Sequence, residues 1–189
     1  MKNILVTLLF LMSVKVTADV GKQAYDLVNS GDVQKAIELL SKKEHKEKPE
    51  ALFMMGMIYD SGRGVEKDIV KASNYYERAA KKGNAVAQFY IGMFYKDGVG
   101  VEKDSEKAIY WLRKASEHKN TRAMGMLAAL LAAPEKGDLI EAYAWAHIAA
   151  KYDAVQAQTS ARKVIEHYLT KEQIAEAKLL IKKIESNWN

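Results

Sequence analysis

The chain has 189 residues, 29 basic and 24 acidic, and a formal net charge of +5. This length allows one or two compact domains, or an array of four to five helical hairpins. The absence of cysteine excludes a disulfide framework, a thiol nucleophile, a cysteine-ligated metal and a cysteine-linked lipid anchor. The small basic surplus is dispersed, so no nucleic-acid partner is predicted, and the composition, rich in Ala, Leu, Lys and Glu, favours helix.

Residues 1–18 have the pattern of a cleaved secretory signal peptide. Lys2 gives a positive start, Ile4–Met12 is apolar, and Val16-Thr17-Ala18 offers a cleavage site, although Lys15 lies close to it. The alternative is an uncleaved anchor or a buried helix, but the apolar run is far shorter than the ~20 residues of a spanning helix. We therefore expect export to the periplasm, or alternatively out of the cell, with no membrane span after cleavage. Cleavage would remove two of the 29 basic residues and none of the 24 acidic ones, which leaves +3.

Residues 19–48 are predicted to form a first helical hairpin and a connector. Gly31-Asp32 marks the turn of this hairpin, between helical stretches that extend from about Val20 to Lys43. The charged segment Glu44–Lys48 then leads to Pro49, a residue that suits the first turn of a helix.

An internal repeat follows the connector. A shift of 36 residues aligns 51–86 with 87–122 at 15 identical positions, without a gap. A period in this range indicates a repeat architecture, in which stacked units present an extended surface to another macromolecule. The repeats are assigned to 49–84, 85–120 and 121–153.

Each repeat is predicted to form two helices around a glycine loop. In the first repeat Ala51, Met55 and Ile58 fall on one helical face, Gly62 ends the first helix and Asp68 caps the second. The residues that define the repeat signature are Gly56, Tyr59, Gly62, Gly64, Asp68, Ala72, Gly92, Tyr95, Gly98, Gly100, Asp104, Ala108, Trp111, Ala142 and Trp145.

The third repeat and the carboxyl-terminal segment depart from this pattern. Pro134–Gly137 replaces the glycine loop, and Asp138 follows Asp104 by 34 residues instead of 36. Residues 154–189 are predicted to form a closing helical hairpin in which Thr170–Gln173 is a capping box. The apolar stripe of its last helix consists of Ile174, Ala177, Ile181 and Ile184.

These residues resemble the Sel-one-like repeat family, which is related to the tetratricopeptide repeats. The resemblance extends from about Ala24 to Ile184, and it is specific in the two middle repeats. It implies an all-α fold: a right-handed superhelical solenoid of antiparallel helix pairs, with about ten helices. It also implies contact with a protein or peptide partner and no single shared activity. Unlike some exported members, this chain has no cysteine to staple its repeats.

By resemblance to tetratricopeptide arrays, one side of each first helix lines a concave binding surface. The helical angle places Phe53, Met57 and Asp60 nearly opposite the core-facing residues of the first repeat. The equivalent residues are Phe89, Met93 and Lys96 in the second repeat, and Gly125, Ala129 and Ala132 in the third. Exposed apolar side chains mark contact sites. The alternative is that Phe53 and Phe89 pack as core.

No catalytic constellation is evident, so no enzymatic activity, cofactor or metal is predicted. Gly62-Arg63-Gly64 and Gly98-Val99-Gly100 follow helices and lack the Lys-Ser/Thr pair of a phosphate loop. Four separate histidines, expected to be exposed or at helix ends, show no metal-ligand spacing: His45, His118, His147 and His167. The leading interpretation is an exported adaptor; the alternatives are a periplasmic immunity or inhibitor protein that neutralises a secreted toxin, and a hydrolase. The sequence does not indicate the oligomeric state.

Overall fold

The computed structural model describes residues 20–133, 137–152 and 156–188, and within these ranges it contains ten helices and no strand. The predicted signal peptide, most of the segment that replaces the third glycine loop, and residues 153–155 lie outside the described residues. The chain divides into two compact units, Met1–Ala87 and Gln88–Asn189. The helices are α1 (20–29), α2 (Val33–Ser41), α3 (Pro49–Ser61), α4 (Ile69–Lys81), α5 (Ala85–Asp97), α6 (Ser105–Glu117), α7 (Thr121–Leu131), α8 (Leu139–Tyr152), α9 (Gln156–His167) and α10 (Lys171–Ser186).

In the first unit, α1 to α4 enclose a small core of aliphatic and methionine side chains. Ala51, Met55 and Ile58 are all buried in it, as their helical spacing predicted. Val20, the first residue that the structure describes, is 1% exposed and belongs to this core. The connector ends at Lys48, and Pro49 is the first residue of α3.

The pair α3 and α4 packs closely because the sequence leaves room at Gly56. A Cβ atom built on this glycine would lie 2.6 Å from Cδ1 of Tyr76, whose ring is almost fully buried. Gly62 ends α3 with φ of 68°, a left-handed conformation that only glycine adopts at little cost. The predicted helix stop is therefore confirmed in its backbone geometry.

The loop between the two helices of a repeat is fixed by one backbone hydrogen bond that recurs in all three repeats. The amide of Asp68 donates to the carbonyl of Tyr59 over 3.0 Å, and that of Asp104 donates to Tyr95 over 2.9 Å. In the third repeat the amide of Asp138 donates to the carbonyl of Leu131 over 3.1 Å. The shortened third loop thus keeps the anchor of the longer ones.

The same three aspartates cap the second helices. Each side chain accepts a hydrogen bond from a backbone amide three residues later, at 2.8 Å for Asp68 and 3.0 Å for Asp104 and Asp138. Asn84 and Asn120 cap the first helices α5 and α7 in the same way, at 2.8 and 3.0 Å. Short polar side chains at these positions satisfy amides that the helix leaves without a partner.

The second unit has the larger core, built mainly from α6, α7, α8 and α10. Its centre is dense with alanine, and Leu112, Met124, Leu127 and Ile148 are fully buried. Ala177 and Ile181 of α10 join this core, which confirms the predicted stripe of the last helix. The Thr170–Gln173 capping box is formed, with both reciprocal hydrogen bonds present.

Candidate functional site

Six residues on α3 and α5 form the predicted contact set, called here the groove residues: Phe53, Met57, Asp60, Phe89, Met93 and Lys96. All six are partly exposed, being neither buried nor open to solvent. α3 lies in the first unit, and most of α5 lies in the second.

In the first unit two of the three groove residues, Phe53 and Asp60, contact Tyr76. The Phe53 ring centroid lies 5.7 Å from that of Tyr76. The Tyr76 hydroxyl donates a hydrogen bond to a carboxylate oxygen of Asp60 over 3.3 Å. Met57 packs against the edge of the core. Phe53 and Asp60 are therefore supported by the buried Tyr76, and Met57 is supported by the core.

In the second unit the groove residues follow one face of α5. Phe89 packs against the edge of the core, and its ring lies 5.7 Å from the ring of Tyr90 in an edge-on arrangement. Lys96 forms an ion pair with Asp97. Of the predicted third-repeat positions, Ala129 is exposed, whereas Gly125 and Ala132 are partly buried. This third set presents little side chain for a partner to contact.

A pocket that the sequence reasoning missed lies among α6, α8 and α10. It has a volume of about 580 Å³ and is lined on one side by Arg113 and Glu141. Arg113 donates two hydrogen bonds to Glu141, from Nε and Nη2, each 2.8 Å long. The indole N–H of Trp145 donates to the same carboxylate over 3.0 Å.

Hydrogen bonding outweighs burial in the electrostatics of this cluster. Burial by itself would raise the pKa of Glu141, but the hydrogen bonds from Arg113 and Trp145 outweigh it and lower that pKa. The hydrogen bond to Glu141 raises the pKa of Arg113 in turn. Both groups are therefore ionised at neutral pH. No repeating signal marks the pair, because the residues equivalent to Arg113 are Glu77 and His147.

The histidines correct one expectation from the sequence. His118 and His167 are exposed at helix ends as predicted, but His45 is only 7% exposed. Its Nδ1 atom lies 3.1 Å from the ammonium nitrogen of Lys48, which holds the connector in place. His147 is half-buried within α8, where burial and the nearby Arg162 lower its pKa. The described residues contain no group of three side chains able to hold a metal ion.

Comparison with known proteins identifies the family. The Sel1 repeat model matches residues 49–84, 85–120 and 122–151. The chain belongs to the Sel1 repeat family, whose members serve generally as protein-interaction scaffolds and are typically non-catalytic. A search of curated proteins found no match.

Among the solved structures that are similar to this chain are two bacterial repeat proteins. A Sel1 repeat protein from Oxalobacter formigenes has 30% sequence identity and a TM-score of 0.66, over 72% of this chain and 57% of that protein. The protein c5321, a protective antigen of uropathogenic Escherichia coli strains with the same repeat fold, has 24% identity and a TM-score of 0.59. That match covers 95% of this chain and 48% of c5321. The chain thus spans about half the length of each, and the predicted all-α repeat fold is confirmed.

Within the described residues, none of the helices combines the length and the apolar character needed to cross a membrane.

Proposed function

We propose that this chain is an exported adaptor that binds a partner protein through the groove residues. The observation that supports it is that Phe53, Met57, Phe89 and Met93 keep partial exposure at equivalent positions of two successive repeats. A partly exposed aromatic ring that packs on a buried side chain, as Phe53 does on Tyr76, contributes contact area with little loss of conformational entropy. Methionine adapts its shape to different partners.

Asp60 and Lys96 give the two repeats opposite charges at equivalent positions. In this proposal they lie at the margin of the contact and orient the partner, while the apolar pairs supply the affinity. The oxygen of Asp60 remains fixed by Tyr76, so its charge is presented in one place.

Capture from the envelope fraction tests the proposal. Purified protein lacking residues 1–18 is crosslinked to its neighbours, and the captured protein is identified by mass spectrometry. Loss of the same partner with the Phe53→Ser/Phe89→Ser variant supports the groove, and the identity of the partner separates an adaptor from a toxin inhibitor. Capture that is unchanged by this variant places the contact elsewhere.

The chain offers a matched control for this experiment. Val70 and Tyr110 are 62% and 51% exposed on the second helices of the same two repeats. The Val70→Ser/Tyr110→Ser variant removes exposed apolar surface away from the groove residues and should capture the partner as the wild type does. Circular dichroism and the melting temperature establish that both double variants remain folded; unfolding of the groove variant alone would identify its phenylalanines as core.

Export is part of the proposal and has its own measurement. The basis for export is the sequence of residues 1–18, in which Val16-Thr17-Ala18 offers the cleavage site. The intact mass of the chain recovered from the envelope fraction should correspond to a protein that begins at Asp19. A mass that includes residues 1–18 would contradict cleavage.

A further inference from the structure

The pocket among α6, α8 and α10 combines an apolar wall with cationic groups. Leu180, Ile184 and Trp188 form the wall, and all three are partly exposed. A volume of about 580 Å³ is within the range of pockets that hold small ligands or a single large side chain. The wall therefore suits one bulky aliphatic or aromatic group.

Arg113 provides donors that its partner does not use. The guanidinium group has five N–H bonds, and Glu141 accepts two of them. The other three donate to no group among the residues that the structure describes, and the side chain is 38% exposed. Because the two hydrogen bonds to Glu141 fix the guanidinium plane, these donors are already oriented before a ligand arrives.

Lys183 is the second cationic group of the pocket. Its ammonium forms no ion pair with any residue in the described ranges, whereas the acidic Glu117, which lines the pocket from α6, is paired with Lys114 at 3.0 Å. The ammonium of Lys119 lies 5.6 Å from the Trp188 ring and adds further positive charge. The unpaired charge beside the apolar wall of the pocket is therefore positive.

We propose that this pocket binds the carboxyl-terminal residue of a partner polypeptide. The terminal side chain packs on Leu180, Ile184 and Trp188, and the terminal carboxylate accepts hydrogen bonds from Arg113 and Lys183. A carboxylate matches the planar donor pattern of a guanidinium, and hydrogen bonds between charged groups are the strong ones. The end of a chain also fits because the bound polypeptide continues out of the pocket in only one direction. The inference rests on the proposed function only in taking a protein as the partner.

The experiment uses the tripeptide N-acetyl-Gly-Ser-Leu as the probe, once with a free carboxylate and once as the carboxyl-terminal amide. Binding is followed by the indole N–H resonances of the protein, which has three tryptophans. The free acid should shift the Trp145 and Trp188 resonances in a saturable way. The amide should bind about tenfold more weakly or worse, because it loses a charge-assisted hydrogen bond.

Two lysines on α10 provide matched variants. Lys183→Gln should weaken binding of the acid about fivefold to tenfold, whereas Lys178→Gln, at an exposed position outside the pocket lining, should leave it unchanged. The proposal is overturned by equal binding of acid and amide, by equal effects of the two variants, or by no saturable shift up to about 10 mM peptide.

This outcome is separable from that of the groove. The Phe53→Ser/Phe89→Ser variant should bind the peptide acid as the wild type does, because neither phenylalanine lines the pocket. Failure of the peptide to bind would leave capture through the groove residues unaffected, and failure of that capture would leave the peptide result unaffected.

Discussion

The ammonium nitrogen of Lys71 lies 3.9 Å from the centroid of the Tyr59 ring, and the pair recurs one repeat later as Lys107 and Tyr95, at 5.1 Å. The hydrogen bond to Tyr59 is the main reason that the pKa of Lys71 is raised. At the equivalent positions the third repeat has Glu141 and Leu131. The third repeat therefore lacks the aromatic ring and also has the opposite charge at the lysine position. Its acidic residue, Glu141, pairs with Arg113 instead.

The Lys71–Tyr59 contact should contribute a small coupling energy. Lys71 is exposed, so a double-mutant cycle with Lys71→Met and Tyr59→Leu should give about 0.5–1 kcal/mol at neutral pH. Urea unfolding of the four proteins measures this energy. A coupling indistinguishable from zero would mean that the proximity is incidental, as it is for many surface contacts.

Lys119 adopts a left-handed backbone conformation, which is unfavourable for residues other than glycine. Its φ is 63°, and the equivalent residue of the preceding repeat is Gly83 with φ of 88°. Lys119→Gly should therefore be more stable than Lys119→Ala by about 1 kcal/mol, since both lose the contact with Trp188 and only glycine relieves the strain. Gly83→Ala should lower the free energy of unfolding by a similar amount. Thermal unfolding checks all three variants; equal stability of the two Lys119 variants would contradict the explanation.

The Arg113–Glu141 pair should make stability depend on pH. Glu141 has a lowered pKa in the folded chain, so its stabilisation is fully present above its ordinary value of 4.5 and is lost as the pH falls through the lower, folded value. Glu141→Gln should cost about 1–2 kcal/mol at pH 7. The difference in unfolding free energy between Glu141→Gln and the wild type, measured by urea unfolding, should become smaller below about pH 4.

The control for this measurement is Glu117→Gln. Glu117 is also in an ion pair, with Lys114, but both side chains are more than 40% exposed. Its removal should change the unfolding free energy by less than about 0.5 kcal/mol at either pH. A pH-independent cost of Glu141→Gln would show that packing, and not ionisation, is what the carboxylate contributes.

The close approach of α3 and α4 should make Gly56 sensitive to a single methyl group. Gly56→Ala would place Cβ 2.6 Å from the ring of the buried Tyr76, so the ring or the helix must shift. We expect a loss of about 1–3 kcal/mol in chemical denaturation. Gly21→Ala in α1 is the control, because its nearest contact is at 3.3 Å with the side chain of Glu50. Similar effects at both glycines would argue against the close packing.

The elements of the fold could be predicted where the signal is local. Gly62, Asp68 and the Thr170–Gln173 box each fix their own turn or cap within a few residues, and the structure has them as the sequence indicates. The burial of His45 could not be predicted in this way. It depends on how the connector folds back and on the position of Lys48, neither of which a spacing pattern encodes.

The same limit applies to the candidate sites. Helical angle places the groove residues on one side of α3 and α5, but their use by a partner stays a prediction. Arg113 and Glu141 are 28 residues apart and meet only because α6 packs near α8. The equivalent residues in the other repeats differ in charge. The repeat pattern therefore predicts the fold but gives no indication of this ion pair.

The backbone hydrogen bond that closes each loop has a consequence for how such repeats can be altered. The two anchoring groups, such as the amide of Asp138 and the carbonyl of Leu131, belong to the main chain, so no side chain takes part in the bond. The intervening segment is two residues shorter in the third repeat than in the second, and the anchor survives. The tips of these loops are therefore natural positions for grafting a foreign epitope or a fluorescent label while the helices on either side keep their register.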